Sequence, residues 1–160
     1  MKKVIRTICI TISLVMFFVT PVLADGTSIR SSHFFASYGS FITVPSGNTL
    51  KIWFDAVGNG TMDEIGVERI ELDRSSNRTD WTTIRIFYPE DYPQMIRTNT
   101  GINYDYVSCN VTGGFYYRAY VVFYAKDSRG LGNEYCYTDT MYMPRPSEPV
   151  NIGADPVSAG

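Results

Sequence analysis

The run from Phe115 to Tyr142, FYYRAYVVFYAKDSRGLGNEYCYTDTMY, constrains this chain more than any other stretch. Tyr117, Ala119, Val121, Phe123 and Ala125 occupy alternate positions, and Tyr116, Arg118, Tyr120, Val122, Tyr124 and Lys126 occupy those between. Successive side chains of a strand point to opposite faces, so a period of two predicts a half-buried strand. Lys126 to Asn133 is polar and carries Gly130 and Gly132, which take positive φ without steric cost, so it predicts the turn. A tyrosine- and threonine-rich return strand follows from Glu134 to Met143. Pro144 and Pro146 stop it, because proline cannot donate to a ladder.

The same patterning recurs upstream. His33 to Val44 predicts a first strand, bent or bulged at Gly39 and closed by Pro45-Ser-Gly-Asn48. Leu50, Ile52, Phe54 and Ala56 alternate with Lys51, Trp53 and Asp55 in a second strand that Gly58-Asn-Gly60 is expected to break. Ile65–Asp73 and Trp81–Tyr88 flank a polar loop and predict a hairpin, with Ile70, Leu72, Ile84 and Ile86 as core residues. Residues 89–101, with two prolines, two acids and an exposed Tyr92, predict a loop or an edge crossing. Ile102 to Val111 resumes a strand with Val107, Cys109 and Val111 on one face. About seven short strands and no helix beyond residue 24 predict an all-β fold, an antiparallel two-sheet β-sandwich over residues 33–143.

The segment Val111 to Gly132 resembles the F–G region of fibronectin type III and related immunoglobulin-like domains, in which a tight turn leads into a strand with an early tyrosine, alternating apolar residues, an alanine and a glycine-bearing loop. The resemblance implies strands in the order A, B, C, C′, E, F, G. It also implies a tyrosine corner at Tyr117 or Tyr116, whose hydroxyl bonds back to the backbone near the start of its strand. The pair flanking residues 74–80 is similar to the C–C′ region of the same domains. The whole chain resembles uncharacterised small secreted proteins of Gram-positive bacteria, a likeness that implies no activity.

Residues 1–24 have the form of a secretory signal peptide, expected to be helical. Lys2, Lys3 and Arg6 precede an apolar run from Ile8 to Val19, and Val22 and Ala24 stand at the −3 and −1 positions of a cleavage site before Asp25. The run is shorter than the roughly 20 residues a comfortable membrane span needs. The expected product is a secreted, extracellular protein with a flexible 25–32, no membrane segment after cleavage, and a disordered tail at 144–160 rich in proline and small residues. Loss of the three leader cations takes the formal net charge from −2 to −5, and no basic stripe remains to hold nucleic acid.

Outside the cell, paired cysteines are commonly bridged. A Cys109–Cys136 disulfide would close a loop of about 28 residues and contribute about 3–4 kcal/mol. Two buried thiols are the alternative, and that one holds if the two side chains point to different faces.

Catalytic patterning is absent from the sequence. His33 is the single histidine and has no serine or cysteine motif beside it, so a non-catalytic protein without a cofactor is expected. Asp55, Asn59, Asp63 and Glu64 are oxygen donors, but their spacing is not that of a calcium loop, and turn-forming explains them. No metal site is expected. Three matches to the N-glycosylation pattern, at Asn59, Asn77 and Asn110, are taken as chance.

Aromatic side chains are the remaining signal. Trp53, Tyr116, Tyr120 and Tyr124 fall on faces assigned to solvent and are the candidate ligand-binding residues; cross-strand packing is the competing account of them. The expected function is extracellular or cell-surface binding of a protein or a surface polymer. A carbohydrate-binding module or sugar-acting protein using the aromatic face, or a purely structural envelope protein, are the alternatives.

Overall fold

The computed structural model describes residues 33–145, which form seven antiparallel strands. They are β1 (Phe35–Ser46), β2 (Thr49–Ser75), β3 (Thr82–Phe87), β4 (Ile96–Asn110), β5 (Phe115–Asp127), β6 (Gly130–Tyr137) and β7 (Met141–Met143), with a short 3-10 turn at Pro93–Met95 before β4. The expected signal peptide, the flexible 25–32 segment and the tail beyond Arg145 lie outside the described residues.

All seven strands belong to one hydrogen-bonded sheet, which curls about β2. Gly58-Asn-Gly60 does not break this strand; β2 runs for 27 residues through it. The first half of β2 pairs with β1 on one edge and β4 on the other, with Ile52 opposite Ile42 and Val107. The second half pairs with β5, where Ile70 lies opposite Val121, and with β3. β6 and β7 continue outward from β5.

The bend is a local register shift between Val57 and Met62 against β4, where the ladder loses its pairing and then resumes. Curling brings the inner faces of the two halves together. Leu50, Ile52, Phe54 and Ala56 then share one buried core with Ile65, Val67, Ile70, Leu72, Val121 and Phe123. Phe35 and Tyr38 of β1 meet Phe123 of β5, with ring centroids 6.4 and 5.1 Å apart.

Gly66 makes the junction possible. Its φ is 152°, and a Cβ there would overlap the Met95 carbonyl oxygen. Across from it the fully buried Asn103 donates to the carbonyls of Met95 at 2.9 Å, Gln94 at 3.2 Å and Ile65 at 3.3 Å. Its Oδ1 accepts from Arg97 Nε at 3.1 Å. A buried amide is costly unless satisfied, so this one residue ties β4 and the 3-10 turn to the middle of β2.

The alternation in β5 is as the sequence predicts. Tyr117, Ala119, Val121, Phe123 and Ala125 are all fully buried. Tyr117 donates its hydroxyl to the Thr112 carbonyl at 2.7 Å, and burial pushes its phenol above the ordinary tyrosine range. The turn is tighter than Lys126–Asn133, because β5 and β6 pair to Asp127 and Gly130.

Several local expectations are corrected. Gly39 pairs in unbroken register with Asp55, and the irregularities of β1 fall between Phe35 and Ser37 and between Thr43 and Ser46. Ile84 and Ile86 are exposed, since β3 is an edge strand that reaches the core only through Phe87. Tyr92 packs against Phe87 at 5.2 Å instead of standing in solvent.

No disulfide joins Cys109 to Cys136. The Cys136 sulfur lies 3.1 Å from the Ser40 hydroxyl. Ser40 is opposite Phe54, which is opposite Asp105 on β4. Cys109 sits four residues further along β4, about 13 Å, beyond the reach of about 7 Å that a bridge allows. Burial also lifts the Cys109 thiol above its ordinary range.

Gly66→Ala is expected to lose about 3 kcal/mol or more of unfolding free energy, from strain and overlap together. Gly39→Ala, where a Cβ meets open space, should stay within about 1 kcal/mol of the parent. Urea denaturation measures both, and a Gly66→Ala protein as stable as Gly39→Ala would refute the junction.

Candidate functional site

The aromatic residues singled out in the sequence do not converge. Trp53 lies on the outer face of the first half-sheet, stacked on Phe41 of β1 (6.0 Å, 10° between planes) and on Tyr104 of β4 (5.5 Å, 23°). Tyr106 packs against it at 4.6 Å, Lys51 Nζ stands 3.9 Å over the Tyr106 ring, and Trp53 Nε1 donates to Thr43 at 3.0 Å. Trp53 is the centre of a cross-strand ladder, and its faces are already occupied.

Tyr116, Tyr120 and Tyr124 stand on the outer face of the other half-sheet, along β5. Tyr116 pairs with Tyr142 at 5.0 Å, and Tyr120 with Tyr135 and Tyr137 at 5.7 and 4.9 Å. Burial, and then the neighbouring Glu64 carboxylate, lift the Tyr124 phenol above its ordinary range. Between them Arg118 lies 4.3 Å over Trp81 and 4.5 Å over Tyr137, and its Nε reaches Asp73 Oδ2 at 3.2 Å. Most of this face is therefore engaged within the sheet.

The open concavity lies elsewhere, where the edge of β1 faces the edge of β6. Among the described residues no backbone ladder joins these two strands. Side chains bridge them instead: Tyr38 Oη donates to Glu134 Oε2 at 3.2 Å, and Ser40 meets Cys136. Above those bridges runs a groove of about 680 Å³. Its walls are Phe41, Tyr104, Tyr135 and Tyr137, each 46% to 55% exposed. Gly39 contributes no side chain, which leaves the groove open beside Asp55, its register partner.

Among the described residues, Asp55 and Asp139 are the charged side chains lining the groove. Among the described residues no hydrogen bond or ion pair reaches the Asp55 carboxylate, and burial without compensation raises its pKa above the ordinary aspartate range. A second depression of about 500 Å³ is different in kind. Its charged lining mixes signs: Arg69 pairs with Glu71 at 3.0 Å, Glu68 accepts from Asn133 at 2.5 Å, and Glu90 stands beside them.

No protein-family model, curated protein or solved structure matches the chain. The site stands on its own geometry.

The oxygen donors considered from sequence are dispersed. Asn59 donates to the His33 carbonyl at 3.0 Å, and Glu64 accepts from Lys126 at 3.3 Å. Among the described residues no three His, Cys, Asp or Glu side chains are grouped to hold a metal. His33 is exposed, its ring edge-on to Phe34 at 5.3 Å. Phe41, Tyr104, Tyr135, Tyr137 and Asp139 were not among the residues the sequence marked for binding, and Asp55 was weighed there only as a calcium donor. The alternation of β6 does place Tyr135 and Tyr137 on the face opposite Cys136, but which strand edges meet in space is not a local property.

Asp55 binds a proton more tightly folded than unfolded. Its contribution to stability is therefore least unfavourable below the ordinary aspartate range, and falls as the pH rises through the raised pKa. Asp55→Asn is thus expected to melt higher than the parent at pH 7, with the difference vanishing as the pH drops below that range. Thermal melts across pH check this; a parent protein that is the more stable at pH 7 would show that the carboxylate has a partner.

Proposed function

We propose that the domain is a secreted, non-catalytic binding module that takes an extracellular protein or surface polymer in the β1–β6 groove. One observation carries the reading: the groove gathers four half-exposed rings and a carboxylate that has no partner among the described residues. Exposed aromatic surface beside a concavity is costly to maintain unless a ligand covers it. The leader-like residues 1–24 support export.

We also infer kinship with immunoglobulin-like sandwiches. The neighbours β1-β2-β4 and β3-β2-β5-β6 follow the order A-B-E and C′-C-F-G, with B and C merged in one bent strand. The tyrosine-to-backbone bond at Thr112 supports the same reading. A glycan is the second candidate ligand, favoured by ring faces that sugars stack on and by carboxylates that accept hydroxyl protons.

The test passes the full chain and its Phe41→Ala/Tyr104→Ala/Tyr137→Ala variant over immobilised cell-surface protein extract, peptidoglycan and insoluble polysaccharide. Retention by one matrix, weakened at least about tenfold in the variant, is the expected result. Equal retention of both proteins would move the site away from the groove.

A further inference from the structure

We infer that the groove holds a cationic side chain, the guanidinium or ammonium of an extended basic peptide segment of the partner, over Asp55 and between the rings of Phe41, Tyr104 and Tyr135. The inference rests on the binding reading above and names the chemistry of its ligand. Charge complementarity is the argument. The groove's charged lining is acidic alone, Asp55 and Asp139, in a chain of formal net charge −2.

Among the described residues several cations are engaged away from Asp55: Lys51 lies over Tyr106, Arg97 pairs with Asp105 at 3.1 Å, and Arg118 and Arg129 pair with Asp73 and Asp127. Asp55 is left with acceptor oxygens and no donor among the described residues. A carboxylate drawn partly out of water is stabilised most by a charged donor.

The rings supply the second half of the recognition. Aromatic faces attract cations within about 6 Å of the ring centroid. This chain already uses that contact internally, with Arg118 between Trp81 and Tyr137 beside the carboxylate of Asp73. At that site a guanidinium is held by rings and an aspartate together. The groove repeats the same components, rings and an aspartate, with the cation position supplied by none of the described side chains.

Its length favours a peptide. The lining takes four consecutive residues of β1, from Tyr38 to Phe41, and three of β6, from Tyr135 to Tyr137. That is a run of roughly 10 Å along the strands, and about 680 Å³ exceeds what a single side chain fills.

The experiment titrates the full chain with acetyl-Gly-Arg-Gly-amide, with the same peptide carrying citrulline, and with a neutral N-acetylglucosamine oligomer. Citrulline keeps the shape of arginine and removes its charge. The expected result is binding of the arginine peptide at least about tenfold tighter than the citrulline peptide, with the preference lost in Asp55→Asn. Asp139→Asn is the second variant and should reduce the preference without abolishing it. A thermal melt of each variant shows that the fold persists.

Equal affinity for the two peptides, a preference unchanged in Asp55→Asn, or no binding of either at about 10 mM overturns the inference. Preferential binding of the sugar oligomer, lost in the triple ring variant and insensitive to Asp55→Asn, overturns it in favour of a glycan while the groove reading stands. Should surface retention be the same in the triple ring variant as in the parent, the groove reading itself fails.

Discussion

The structure depends on β2 remaining one strand through a bend. Thr49 to Ser75 supplies the central strand of both half-sheets, so every other strand is positioned, directly or through β5, by how that segment turns. The turn is tolerated because Gly66 has no side chain to meet the Met95 carbonyl. It is held because Asn103 draws three carbonyls to one amide. Two opposed requirements meet at one point: the backbones must come close, and their carbonyls must still be satisfied. Without the clamp the halves would remain hydrogen-bonded along β2, but the angle at which their apolar faces close would lose its polar tie beside the bend.

The tyrosine content follows from that geometry. A curled sheet with one core has two outer faces. On each, rings opposite one another across strands cover the backbone and one another. Trp53 between Phe41 and Tyr104, and Arg118 between Trp81 and Tyr137, are both such arrangements. They engage ring surface internally, although Phe41, Tyr104 and Tyr137 remain half-exposed along the groove. The groove lies at a seam: Tyr135 and Tyr137 come from the outermost strand of one half and Phe41 from the edge of the other, and no further strand among the described residues covers them.

Period-two patterning made the core legible. Leu50, Ile52, Phe54 and Ala56, and Tyr117 to Ala125, are buried as their alternation requires, since that information is local. Tyr117's bond to Thr112 was also within reach, because donor and acceptor are five residues apart. Where the reading failed, the deciding partner was distant. Gly58-Asn-Gly60 has the composition of a break and becomes a bend because β4 holds both sides. Ile84 and Ile86 have the pattern of a core strand and stand exposed because β3 lies at the rim. Cys109 and Cys136 face each other in no register, which no spacing along the chain discloses.

The groove and the open seam are one feature seen from two sides. Had β1 and β6 paired by backbone, the sheet would have closed as a barrel does, and the rings of Phe41 and Tyr135 would have become another internal ladder. Side-chain bridges from Tyr38 to Glu134 and from Ser40 to Cys136 hold the edges near each other without sealing them. That arrangement guards two strand edges against pairing with other chains, and it leaves a slot above the bridges. Asp55 lines that slot beside a glycine, with no cation among the described residues placed against it. An unmatched carboxylate lowers stability where asparagine would not. Its presence in an open concavity whose described charged lining is acidic fits a position kept for what it binds more readily than one kept for what it packs.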